Sequence, residues 1–184
     1  ATSPVDRDLT TLIYSGLLKA NADGILIPDL AKNYTISDDG LIYTFYLKDN
    51  IYFHDGTSIT SDDIEFTIMQ IQDSSIKSPK RANWDGVTVE KIGEKQIRFI
   101  LKKPYSPFIE NTTVGILPKH IWKNVSTEEF AFSQFNIEPV GSGQYQIKSI
   151  NRDSGGLIQY YELLSFKKYA LGKLWQVKGM VAFF

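Results

Sequence analysis

Apolar residues along the chain alternate in some stretches and recur at helical spacing in others. Leu41-Ile-Tyr-Thr-Phe-Tyr-Leu47 mixes β-branched and aromatic residues in near-alternation, the pattern of a half-buried strand. His54-Asp55-Gly56 follows as a turn, with Gly56 free to take positive φ. Thr60 is then a good N-cap, and Asp63 three residues on makes a capping box with Asp in place of Glu. Ile64, Ile68 and Ile71 continue as one apolar stripe of a helix. This strand, turn and helix form the centre around which the other elements are placed.

On the N-terminal side, Ser3-Pro4 reads as a cap and a first-turn proline, with Asp6 and Asp8 at the positive end of a helix. Leu9, Leu12, Ile13 and Leu17 form its stripe, and Gly16 is expected to help end it. Asn21-Ala-Asp-Gly24 is a turn, and Pro28 marks Ile25 to Ala31 as edge or loop. Asn33–Ser37 and Leu41–Leu47 read as a hairpin across Asp38-Asp39-Gly40. A second hairpin joins Gly86–Ile92 to Gln96–Leu101, and a third joins Tyr145–Ile150 to Leu157–Leu163. Between them, Asp73 to Asp85 is polar and irregular, a long loop of the kind that often carries function. Short helices are expected over Ser106–Asn111 and Leu117–Asn124, and Ser126 with Glu129 makes a capping box for another. Val177 to Phe184 is an apolar strand. These elements predict an α+β domain with a mixed, largely antiparallel sheet and short helices.

Several pieces of this pattern, in order, resemble the peptide-binding family of ABC-importer substrate-binding proteins, of the dipeptide and oligopeptide type. They are Leu12-Ile-Tyr-Ser-Gly-Leu17, Ile27-Pro-Asp-Leu-Ala31, and Asp38 to Phe45 with Phe53-His-Asp-Gly56 and Ile59-Thr-Ser-Asp-Asp-Ile64. Ile116-Leu-Pro-Lys-His-Ile-Trp122, Pro139-Val-Gly-Ser-Gly-Gln-Tyr145 and Phe166-Lys-Lys-Tyr-Ala-Leu-Gly-Lys173 complete the set. Gln144 stands where the family often has Pro. The resemblance implies a two-lobed, type II periplasmic-binding-protein architecture of which this chain is the N-terminal part. Residues 1–140 are then expected beside the ligand-binding lobe, and residues 141–184 as strands re-entering it. It also implies a non-enzymatic, lipid-anchored, extracytoplasmic and monomeric protein. Its partners would be short peptides and ABC permease subunits, with no cofactor. With one lobe missing, the chain alone is expected to bind peptide weakly or not at all. Family relatives also carry nickel complexes, haem or sugars, and a surface interaction module without transport role is a further alternative.

Composition narrows the classes. The 184 residues suffice for one domain with a real core, and 42% hydrophobic content with 13% aromatics is a globular balance. The net charge of −1 points to neither nucleic acid nor an anionic membrane surface. No apolar run nears the roughly 20 residues of a membrane span, and no charged-apolar-small leader stands at Ala1. With no Cys, disulfides, thiol nucleophiles and thiolate metal sites are excluded.

Candidate chemistry is sparse. His54-Asp55 has the residues of an acid–base pair, but one His beside an Asp in a turn is ordinary turn chemistry. Asp62, Asp63 and Glu65 have the charge to hold a cation, yet lie in a first helical turn, where carboxylates favour the dipole. His120 has no second His or Cys at zinc-ligand spacing. Ser142, flanked directly by Gly141 and Gly143 and followed by a strand, lacks the context of a nucleophile elbow, and the two glycines lack that of a phosphate loop. For ligand binding, Trp84 with Lys80 and Arg81 offers an aromatic and two cations on the Asp73–Asp85 loop. The competing reading makes Trp84 a core anchor. The resemblance further implicates Ser142, and Thr2-Ser3-Pro4 as a cleft-wall segment able to pair with peptide backbone.

Overall fold

The computed structural model describes residues 4–172 and 178–182. Helix α1 (Pro4–Ile13) opens them, followed by a small two-stranded sheet of β1 (Leu18–Ala20) and β2 (Leu26–Pro28). Strands β3 (Ala31–Ile36) and β4 (Ile42–Leu47) form the first predicted hairpin, and β5 (Thr88–Gly93) and β6 (Gln96–Ile100) the second. They join in one sheet of order β3-β4-β6-β5. Helix α2 (Ser61–Gln72) packs on it, and the short helices α3 (Arg81–Trp84), α4 (Phe108–Asn111) and α5 (Lys119–Trp122) surround it. The third hairpin, β7 (Tyr145–Arg152) with β8 (Ile158–Ser165), is extended by β9 (Lys178–Ala182). Every described strand pair is antiparallel, in line with the α+β expectation.

The capping box forms as read. Thr60 caps α2, and the Asp63 carboxylate takes the Thr60 backbone N–H at 3.0 Å. Its other oxygen takes the Lys119 N–H at 3.0 Å, which ties α5 to the start of α2. Asp62 meets Lys91 at 2.8 Å and Lys119 at 3.4 Å, so these carboxylates serve capping and surface pairing. Thr60→Ala is expected to lower stability by about 1 kcal/mol, read as a lower urea midpoint with an unchanged slope.

Two apolar clusters hold the chain. The larger lies between the four-stranded sheet and α2. It contains Phe45, Phe53, Phe99 and Phe108 with the predicted stripe Ile64, Ile68 and Ile71. The smaller joins Leu9 and Ile13 of α1 to Tyr161 and Leu163 of β8. Leu17 departs from the predicted stripe: α1 has ended at Ile13, and Leu17 belongs to the larger cluster. Gly16 is therefore not a helix stop. It lets the backbone lie against Thr113, whose carbonyl carbon and oxygen would stand 2.7 Å from any Cβ there.

The Asp73–Asp85 segment is tied down. The Gln72 amide donates to the carbonyls of Trp84 at 2.8 Å and Val87 at 2.7 Å, and Arg81 Nε donates back to the Gln72 carbonyl at 3.1 Å. The Ser126–Glu129 box also forms, but it leads into 3-10 turns over Phe130–Phe132 and Gln134–Asn136 instead of an α-helix.

Candidate functional site

An apolar groove of about 620 Å³ opens beside the smaller cluster. Its walls come from segments far apart in sequence. Helix α1 supplies Leu9 and Ile13, β8 supplies Tyr161, α5 supplies Trp122, and the 130–139 segment supplies Phe130 and Pro139. Trp122 packs on Phe130 with ring centres 4.5 Å apart, which fixes that wall. The Tyr161 hydroxyl donates to the Ile137 carbonyl at 2.9 Å, which joins β8 to the segment opposite.

The polar side chains of the lining are those of Thr10, Tyr14, Lys80, Asn136 and Tyr161. Lys80 is exposed on its rim, and Tyr14 lies half-buried in its wall. Burial raises the Tyr14 hydroxyl well above the usual phenol range, so it stays protonated and able to donate. An apolar cleft with a few placed polar groups is the ordinary form of a small-ligand site. A second depression of about 550 Å³ lies by Asn83, Lys102, Lys103 and Tyr105. There the Asn83 and Asn111 side chains are occupied with each other at 3.1 Å, which leaves less free hydrogen-bonding capacity for a ligand.

Of the binding residues read from sequence, Lys80 reaches the groove. Trp84 does not: it is only 1% exposed and packs edge-on against Phe99 and Phe108, at 5.2 and 5.3 Å. The core-anchor reading replaces the stacking one, because the sheet offers the indole more apolar contact than solvent does. Arg81 is exposed on α3 with its Nε spent on Gln72. Ser142 is also 1% exposed, and its carbonyl accepts the Ser15 hydroxyl at 3.3 Å. Thr2 and Ser3 lie outside the described residues. Pro4 opens a helix and so presents no extended edge for strand addition. Of the wall residues, Tyr14 and Trp122 lie in segments that carry the family resemblance, while Phe130 and Tyr161 had no local signal beyond being aromatic.

The adjacent pair His54-Asp55 separates into two different contacts. The Asp55 carboxylate meets His120 Nε2 at 2.7 Å and takes the Thr57 N–H at 2.9 Å. His54 turns the other way. Its backbone N–H donates to the Gly141 carbonyl at 2.8 Å, its Nδ1 accepts from the Gly141 N–H at 3.3 Å, and its Nε2 meets the Gly143 carbonyl at 3.1 Å. The two ring contacts together require the neutral Nε2–H tautomer. Burial drives the imidazole down to about 4.

The sign of the resulting pH effect is fixed. Between about pH 4 and 6.5 the unfolded chain holds a proton on His54 that the folded chain does not. Stability is therefore complete above 6.5 and falls as pH drops toward 4, by up to about 3 kcal/mol from this group. Melting curves from pH 7 to pH 4 are expected to show this loss, and His54→Gln is expected to flatten it.

Comparison with known proteins agrees with this fold. The family model for the middle part of family 5 of the bacterial extracellular solute-binding proteins matches residues 26–174. The oligopeptide-binding protein AppA of Bacillus subtilis (strain 168) is 31% identical over 152 residues, covering 80% of this chain and 28% of the relative. The structure of AppA from Bacillus subtilis in complex with a nonapeptide overlays with a TM-score of 0.87 at 29% identity, covering 98% of this chain and 36% of that one. NikZ from Campylobacter jejuni in complex with Ni(L-His) overlays at 0.83 with 30% identity, covering 94% of this chain and 34% of that one. These neighbours have the type II periplasmic-binding-protein fold. The chain thus spans 28% to 36% of the length of these relatives. By the match over residues 26–174 it belongs to family 5 of the bacterial extracellular solute-binding proteins.

Proposed function

We propose that the protein is the substrate-binding component of an ABC importer that captures short peptides outside the cytoplasmic membrane. The observation that carries this reading is the apolar groove with Lys80 on its rim, set in a chain of the solute-binding family. Apolar and aromatic walls suit peptide side chains, while Lys80 and the Tyr14 hydroxyl suit a carboxylate or backbone carbonyl. Residues 1–140 form the unit beside the ligand-binding lobe, and residues 141–184 are strands that return to it. Ligand bridges this lobe and another, shifting an open–closed equilibrium. The closed form docks on permease subunits, and the protein works as a lipid-anchored monomer without catalysis. This chain supplies one wall of the site, so alone it binds peptide weakly or not at all.

The likeness to NikZ in complex with Ni(L-His) favours a second reading, a small metal chelate as cargo. One experiment separates the two. The protein is purified natively from its source, denatured, and the released small molecules are identified by mass spectrometry. Short peptides are the expected release. A chelate would keep the fold and change the cargo, and an empty, well-folded protein would overturn the proposal in favour of a surface interaction module.

A further inference from the structure

We propose that His54 is a positioning residue of the groove: its neutral imidazole holds Gly141 and Gly143, and through them the Pro139 wall, in place, and protonation loosens that hold. The inference rests on the reading of the groove as the ligand site. Its physical basis is three hydrogen bonds from one residue onto two glycines. The backbone N–H of His54 and both ring nitrogens engage Gly141 and Gly143, at 2.8, 3.3 and 3.1 Å. The Phe166 ring closes on the imidazole edge-on with centres 4.8 Å apart.

The same two glycines meet the groove from the other side. The Gly143 N–H donates to the Ile13 carbonyl at 2.7 Å, and Gly141 lies so close that a Cβ there would stand 2.0 Å from the same oxygen. Ile13 and, two residues before Gly141, Pro139 both line the groove. His54 therefore sets the separation of two walls without touching either. A proton on Nδ1 turns its acceptor into a donor facing the Gly141 N–H, so that contact becomes donor against donor. His54 then holds the segment by its backbone bond and its Nε2 bond, while the bonds of Gly143 to Ile13, Ser142 to Ser15 and Ile137 to Tyr161 remain.

The charged surroundings are few. Asp55, on the same turn, favours the imidazolium, but its carboxylate is engaged by His120 of α5 at 2.7 Å. Lys167 and Lys168 follow Phe166, and the Lys168 ammonium sits over the Tyr52 ring at 4.1 Å. Glu138, before Pro139, is exposed. None of these offsets the burial that keeps the ring neutral, which lowers its affinity for protons to about pH 4.

The test compares the wild-type protein, His54→Gln and His120→Gln by NMR from pH 7 to pH 4. Glutamine supplies one acceptor and one donor but does not titrate. In the wild type, protection of the Gly141 amide against hydrogen exchange is expected to fall at least tenfold. The Ile13 methyl shifts should move in step with the imidazole. His54→Gln should abolish both changes, and His120→Gln should keep them. A wild-type profile in His54→Gln, or its loss in His120→Gln, overturns the proposal, the latter assigning the response to the Asp55–His120 pair. These readouts use no ligand, so their failure is distinct from failure of the solute-binding reading.

Discussion

Replacing Trp84 by alanine is expected to destabilise the protein by about 3–5 kcal/mol, the range for deleting a large aromatic from a packed core. The indole is 1% exposed and lies between Phe99 and Phe108, which are themselves 5.9 Å apart. Its removal deletes two edge-to-face contacts and leaves a space that Phe99 and Phe108 cannot close without repacking the sheet against α4. It also loosens the turn whose carbonyls the Gln72 amide holds. For a domain of this size, a melting temperature lower by roughly 6–20 °C follows. Trp84→Phe should recover part of the loss. If Trp84→Ala melted like the wild type and lost ligand affinity, the core assignment would be wrong and the stacking role restored.

Gly141→Ala is the second large effect, and its cause is the opposite one. Here a methyl group is added where none fits. The new Cβ would stand 2.0 Å from the Ile13 carbonyl oxygen and 2.8 Å from its carbon. These are backbone atoms at the end of α1, so no side-chain rotation relieves the clash. Either α1 or the Val140–Gly143 segment must move, and overpacking of this kind costs about 3 kcal/mol or more. Gly93→Ala is the matched control, since nothing lies within 4 Å of its Cβ position. Urea midpoints for the pair should separate clearly, with the control near the wild type.

The elements were legible in the sequence where a local signal decides them. Asp39-Gly40 between alternating runs specifies a hairpin, and Gly40 indeed takes φ +69°. Thr60 and Asp63 satisfy each other across three residues, so the start of α2 needs no tertiary information. The failures come where distance decides. A tryptophan in a polar stretch reads equally as a ligand platform or a core anchor, and the sheet beneath Trp84 settles it. His54 and Asp55 are neighbours in sequence, but each partners a residue far along the chain, Gly141 and Gly143 for one and His120 for the other. The groove is the extreme case. Leu9, Lys80, Trp122 and Tyr161 share no spacing pattern, and only tertiary packing, of α1 on β8 and of α3 and α5 on α2, brings their segments together.

The central claim, that this groove takes the ligand, is tested most directly by filling it. Ala131 is exposed on the groove wall, so Ala131→Trp adds bulk there without entering either core cluster. Calorimetry on the two-lobed protein, with the ligand it releases when denatured, should show affinity for Ala131→Trp at least tenfold weaker, at an unchanged melting temperature. Lys103→Glu, at the second depression, should bind as the wild type does. Wild-type affinity in Ala131→Trp, with loss in Lys103→Glu instead, would contradict the account and move the site to the other face.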